Sequence, residues 1–211
     1  MILVGQYDSP FVRRVAVSLH HYGIPFERNR LSVFQPGMAD INPLVRIPSL
    51  IIDGDETLID SGAILDYLDQ LVGPERALMP PGGDERRRVM QATVLASGAI
   101  EKCGAVVYER HFHAHACIAH EWVARCMGQL AGALTMLDGY AKSPWYFGAK
   151  FTQADVTIGC LIGYIRLRLE EAMPAKRYPK LEDLATRCEA LDAFQKSRPS
   201  PDELMPGKSQ S

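Results

Sequence analysis

The chain has no surplus of positive charge. Its 211 residues carry 23 Lys and Arg against 25 Asp and Glu, a formal net charge of −2. Binding to nucleic acid or to an anionic membrane needs a basic field that this balance does not supply. Long apolar runs are missing too. The uncharged apolar stretch Val156 to Ile165 is far below the roughly 18 residues of a membrane span. Met1 to Tyr7 has neither a positive region nor a cleavage site, so it is expected to be a first strand rather than a secretion signal. Cysteine is sparse and odd in number: Cys103, Cys117, Cys126, Cys160 and Cys188, with no pair two residues apart. A disulfide framework and a zinc ribbon are thereby disfavoured, and reduced thiols in a cytoplasmic chain are expected. Internal repeats and low-complexity tracts are absent.

What is present is an ordinary globular composition, 47% apolar and 23% charged, which excludes disorder, collagen and coiled coil for the chain as a whole. The length allows one large domain or two small ones. The two halves differ. Residues 1–80 hold 6 basic and 10 acidic side chains, residues 81–211 hold 17 and 15, and all five cysteines lie in the second part. Between them stand Gly73-Pro74 and Pro80-Pro81-Gly82-Gly83, the strongest breaker cluster in the chain. The expected division is a first domain over 1–78, a second over 84–198, and a flexible, proline-rich tail over 199–211.

The first domain mixes strands and helices. Ile2-Leu3-Val4 reads as a short buried strand. Ser9 and Pro10 are an N-cap and a first helical residue, and Val12, Val15, Ala16 and Leu19 form one helical face that ends at Gly23 and Pro25. Phe26 to Leu31 is a weaker strand, and residues 32–47 read as irregular. Leu50-Ile51-Ile52 and Thr57-Leu58-Ile59 flank Asp53-Gly54-Asp55-Glu56 as a hairpin. Asp60 and Ser61 then cap a helix carrying Ile64, Leu65, Leu68, Leu71 and Val72. A strand–helix–strand crossover followed by an antiparallel hairpin and a helix is the order of a thioredoxin-like α/β domain.

The second domain reads as an all-α helical bundle. Asp84 can cap a helix running to about residue 112, with Val89, Thr93, Ala96, Ile100, Cys103 and Val107 at alternating spacings of 4 and 3. Trp122, Cys126, Leu130, Ala133 and Leu137 mark another. Thr152-Gln153-Ala154-Asp155 matches a capping box, with Phe151 and Val156 in staple positions. The apolar helix behind it is expected at the domain centre.

Three local signals could carry chemistry. Ser9 sets a hydroxyl at a helix start just after a strand, where free N–H groups and a partial positive charge favour an anion such as a thiolate. By itself it is also an ordinary N-cap. Arg46-Ile47-Pro48-Ser49 precedes a strand, and Asp60-Ser61 opens a helix. His111, His113, His115 and His120 crowd one segment. His111 and His115 would share a helical face at zinc-like spacing, but no third ligand is defined, so polar surface is expected rather than a metal site.

Taken together, Ser9-Pro10, Asn42-Pro43-Leu44-Val45-Arg46-Ile47-Pro48, Asp60-Ser61 and the capping box at Thr152 resemble the soluble glutathione transferase superfamily, and within it the bacterial, Ser-type members. The likeness spans the chain except its tail. Two positions depart from the pattern: Val45 stands where Gly is frequent, and Asp60 where Glu is commoner. The resemblance implies that Ser9 donates to the glutathione sulfur, with Tyr7 the competing hydroxyl. It implies that Ile47, before a cis Pro48, binds the cysteinyl backbone through its main chain. Asp60 and Ser61 would hold the γ-glutamyl end, and Arg46 would pair with the glycyl carboxylate. Phe11, Tyr108 and His111 are the expected wall for a small electrophile. Glutathione is then the co-substrate, no metal is needed, and a cytoplasmic homodimer is implied. The alternatives are a glutathione-dependent reductase or isomerase, and a glutathione-binding regulatory or scaffold protein with little catalysis. A reductase usually has a Cys where Ser9 stands.

Overall fold

The computed structural model describes residues 1–53 and 56–204. The Gly54-Asp55 part of the expected hairpin turn lies outside the described residues. The remaining chain separates into two compact units, one made of residues 1–83 and 189–204, the other of residues 84–188.

The first unit is built on a four-stranded sheet of order β2-β1-β3-β4. Its strands are β1 (Ile2–Val4), β2 (Glu27–Asn29), β3 (Ser49–Ile51) and β4 (Thr57–Ile59). β1 pairs parallel with β2 and antiparallel with β3, and β3 pairs antiparallel with β4. The parallel pair requires a crossover, which α1 (Pro10–Tyr22) supplies. Pro10 sits at the first helical position and Gly23 closes the helix in the left-handed region. Within residues 32–47, expected to be irregular, the chain forms a single helical turn, α2 (Met38–Ile41), anchored by buried Met38. Four residues are too few to show a helical period. α3 (Ser61–Val72) buries Ile64, Leu65 and Leu68, while Leu71 of the expected stripe is exposed.

The second unit is helical: α4 (Gly83–Phe112), α5 (His120–Tyr140), α6 (Gln153–Arg168) and α7 (Pro179–Ala190), whose last two residues pass into the first unit. α6 is buried from Gln153 through Ile162. Fully buried Asp155 fixes its start, accepting from the Thr152 N–H and hydroxyl, both at 2.8 Å, and from the Tyr146 N–H at 2.6 Å. α5 buries Val123, Cys126, Leu130, Leu134 and Leu137, so its seam takes Val123 and Leu134 rather than the expected Trp122 and Ala133. Among the described residues no helix is long and apolar enough to cross a membrane.

The expectation of a flexible tail from residue 199 fails for the described part of it. After α8 (Asp192–Lys196) the chain makes a 3-10 turn, Pro201–Glu203, in which Glu203 is 2% exposed. Arg13 draws the returning chain onto α1 through both carboxylate oxygens of Glu189, at 2.7 and 2.8 Å, and through the Ser197 carbonyl. The boundary expected at 198 is therefore displaced as well: residues 189–198 cluster with the sheet and not with the helical unit. Prolines and small polar residues read as a loose end, but paired charges fix this one in place.

Candidate active site

The sheet register brings the three sequence signals to one edge. Val4, Ser49 and Ile59 form one row across β1, β3 and β4. β1 and β4 end there and β3 begins there. Residues 5–9, Ile47-Pro48 and Asp60-Ser61 all continue from that row, and the N-termini of α1 and α3 start beside it. Neither helix has an acidic side chain in its first turn; α1, capped by a neutral serine, leaves its partial positive charge for an anion, while the Asp60 carboxylate takes up part of that of α3.

Ser9 is the N-cap of α1, half-buried, with extended backbone. Its hydroxyl accepts from the Val12 N–H at 3.5 Å, a long contact that holds the hydroxyl loosely. Tyr7 is 2% exposed, with the Arg28 guanidinium stacked on its ring. Its hydroxyl is buried with no hydrogen-bond partner among the described residues, and burial pushes the phenol up to about 12. The Ile47–Pro48 peptide is cis, as is Ser143–Pro144. Gly5, at φ 132, makes room for this loop: a Cβ there would stand 2.6 Å from Val12 Cγ2 and 3.0 Å from Ile47 Cβ. Buried Asn42 shapes the approach, donating to the Arg46 carbonyl at 2.8 Å and accepting from the Leu44 N–H at 2.9 Å. Arg46 itself is exposed.

Asp60 is the exposed N-cap of α3 at φ 69, and one of its carboxylate oxygens accepts from the Gly62 N–H at 2.7 Å. Ser61 is buried and its hydroxyl accepts twice from Arg14, from Nε at 3.1 Å and from Nη2 at 2.6 Å. The Arg14 guanidinium lies 5.3 Å from the centroid of the half-buried Phe11 ring. Gly5, Asn42 and Arg14 were not among the expected site residues. The signal for Arg14 was an arginine pair inside the apolar run Phe11 to Leu19, since a charge held in such a run needs buried partners.

The remaining expected residues belong to the helical unit. Tyr108 and His111 lie one turn apart on α4, and the edge-on ring of Phe112 contacts both. α4 ends at Phe112 and His115 belongs to a separate 3-10 turn, so His111 and His115 share no helical face. His113 pairs with Glu109. Among the described residues no group of three or more His, Cys, Asp or Glu is placed to hold a metal ion.

Comparison with known proteins agrees with this architecture. The glutathione S-transferase N-terminal domain family matches residues 3–76, and the glutathione S-transferase C-terminal domain family matches residues 121–187. The chain belongs to the glutathione transferase superfamily. It is 28% identical over 201 residues to the GST-like protein YibF of Escherichia coli, covering 94% of this chain and 98% of YibF. It is 26% identical over 212 residues to the maleylacetoacetate isomerase of Pseudomonas aeruginosa, covering 95% and 96% of the two chains. A glutathione S-transferase from Methylobacterium radiotolerans, crystallised with glutathione sulfonate, superposes with a TM-score of 0.88 at 27% identity, covering 94% of each chain.

Proposed function

We propose that the chain is a glutathione transferase that activates the glutathione thiol for attack on a small electrophile. The observation that carries this reading is the meeting of two helix N-termini and the cis Ile47–Pro48 loop at one sheet edge, with Ser9, Asp60 and Ser61 beside it. The relative crystallised with glutathione sulfonate supports the tripeptide as ligand. Asp60 would take the γ-glutamyl ammonium and Ser61 the carboxylate. Ile47 would bind the cysteinyl backbone, and Arg46 the glycyl carboxylate. Ser9 would donate to the sulfur, and Phe11, in the first turn of α1, would face the electrophile.

A free thiol of pKa about 8.5 is roughly 3% ionised at pH 7. A shift to about 6.5 would make it roughly three-quarters ionised, a gain near 25-fold in nucleophile. The shift is worth about 2.7 kcal/mol, within reach of one hydrogen bond to a charged sulfur and a helix N-terminus. Holding thiolate and electrophile together supplies further acceleration. A homodimer in the cytoplasm is the proposed setting.

Similarity to maleylacetoacetate isomerases supports a second reading, in which the same thiolate adds to a cis double bond and leaves after rotation. A Ser- and Cys-rich stretch around Ser9, the mark of that type, is absent from this sequence. Calorimetry with glutathione, paired with conjugation of a chloronitrobenzene and isomerisation of a cis-dienoic acid, tests both. Conjugation supports the first reading and isomerisation alone the second. Glutathione binding with neither activity would make the chain a binding protein, and no binding would end all three.

A further inference from the structure

We infer that Arg14 fixes the polarity of the Ser61 hydroxyl and so makes the start of α3 selective for a carboxylate; this rests on the glutathione-binding reading above. A serine hydroxyl has two acceptor lone pairs and one proton to donate. Arg14 Nε and Nη2 both donate to Ser61 Oγ, which uses both lone pairs. Ser61 retains a single capability, donation. It cannot accept from an ammonium, and it can donate to a carboxylate oxygen.

The arrangement is built to hold. Arg14 is 5% exposed and Ser61 2% exposed, so neither exchanges its partner freely with water. The Phe11 ring flanks the guanidinium, and a planar fork gives Arg14 the geometry to place two N–H groups on one oxygen. Its charge adds to the positive end of α3, part of which the Asp60 cap takes up. One residue earlier, exposed Asp60 offers a carboxylate with one oxygen on the Gly62 N–H. Neighbouring residues thus present opposite preferences, Asp60 for an ammonium and Ser61 for a carboxylate. An amino-acid head group carries both charges. Arg14 is a positioning residue: it acts on the ligand through Ser61.

The test compares two ligands by calorimetry, glutathione and its analogue lacking the γ-glutamyl α-carboxylate, against wild type, Arg14→Met, Arg14→Lys, Ser61→Ala and the Arg14→Met/Ser61→Ala double variant. Wild type is expected to prefer glutathione by at least 10-fold. Arg14→Met should bring that preference below 3-fold, and the double variant should discriminate no less than Ser61→Ala alone. Arg14→Lys, which can give Ser61 one N–H at a time, should fall between wild type and Arg14→Met. A preference left intact in Arg14→Met overturns the inference. If Arg14→Met does not fold, undiminished preference in Arg14→Lys overturns it equally. Failure of the wild type to bind glutathione at all would instead overturn the binding reading itself.

Discussion

The carboxylate of Glu203 accepts the backbone N–H of Tyr7 at 3.1 Å across 196 residues of sequence. The same oxygen takes the Arg28 guanidinium, and the other oxygen takes the N–H and hydroxyl of Ser200. Four donors on one buried carboxylate join the C-terminal turn to the segment that leads into Ser9. Glu203→Ala should cost about 2–4 kcal/mol, because it leaves Arg28 and the Tyr7 N–H without their acceptor. Urea unfolding at neutral pH measures this, and a loss under 0.5 kcal/mol would show that the turn holds without Glu203.

The pH dependence of that contact has a definite sign. Burial opposes ionisation of Glu203, but the bonds from Ser200 and Tyr7 and the Arg28 charge outweigh it and hold the carboxyl below its usual range. A depressed folded value means that stability is present in full above the unfolded value of about 4.3 and is lost as pH falls through the folded one. Stability of the wild type measured downward from pH 5 should fall more steeply than that of Glu203→Gln. Parallel curves would remove Glu203 from the acid response.

Asp155 works in the opposite sense. Burial raises its carboxyl above the usual range against the hydrogen bonds from Tyr146 and Thr152. Its linked contribution is therefore greatest below the unfolded value of about 3.9 and declines as pH rises through the folded one. A helix cap alone is worth about 0.5–2 kcal/mol. Because Asp155 also holds the Tyr146 N–H, Asp155→Ala should cost about 2–4 kcal/mol. Glutathione affinity of the folded fraction should be unchanged. A selective loss of binding at full stability would make Asp155 a ligand residue.

These contacts mark where the sequence was legible. α1, α3 and α6 could be read because caps and apolar spacing are local: Ser9-Pro10, Asp60-Ser61 and Thr152 to Asp155 each lie within one turn of the helix they start. Contacts that depend on remote partners could not be read. Arg13 and Arg14 meet Glu189 and Ser61, 176 and 47 residues away, and Glu203 meets Tyr7 at greater separation still. The α5 seam shifted because Trp122 and Val123, like Ala133 and Leu134, offer adjacent apolar choices that periodicity alone does not rank. His111 and His115 would share a helical face only if α4 continued past Phe112, where it ends.

Val45 is held at φ 51, where its N–H bonds the Asn42 carbonyl at 2.8 Å. A left-handed conformation costs an L-residue about 1–2 kcal/mol, and a β-branched side chain sits there poorly. Val45→Gly removes that strain but adds about 0.4–1 kcal/mol of unfolded-chain entropy. The side chain is 40% exposed, so little packing is lost. The expected net is a gain of about 0.5–1 kcal/mol, seen as a higher urea midpoint at unchanged slope. A lower midpoint would mean that Val45 packing outweighs its backbone strain.

The competition between the two hydroxyls near the end of β1 makes the last prediction. Tyr7 is buried, its hydroxyl has no hydrogen-bond partner among the described residues, and its phenol is raised to about 12 by burial first, with Arg28 opposing and Glu203 adding. A group so enclosed is ill placed to meet a sulfur, and an unsatisfied buried hydroxyl weakens the fold. Tyr7→Phe should therefore leave the thiol of bound glutathione where it is and stabilise the protein by about 0.5–1 kcal/mol. Ser9 is half-buried at the helix start, and its hydroxyl is only loosely engaged with Val12. Ser9→Ala should raise the thiol pKa by about 1–2 units, or 1.4–2.7 kcal/mol, with little loss of affinity. The thiolate absorbance of the glutathione complex, followed against pH, reads both. A rise in Tyr7→Phe and none in Ser9→Ala would transfer the role to Tyr7. No rise in either would leave activation to the free N–H groups of α1, with Ser9 acting only as their cap.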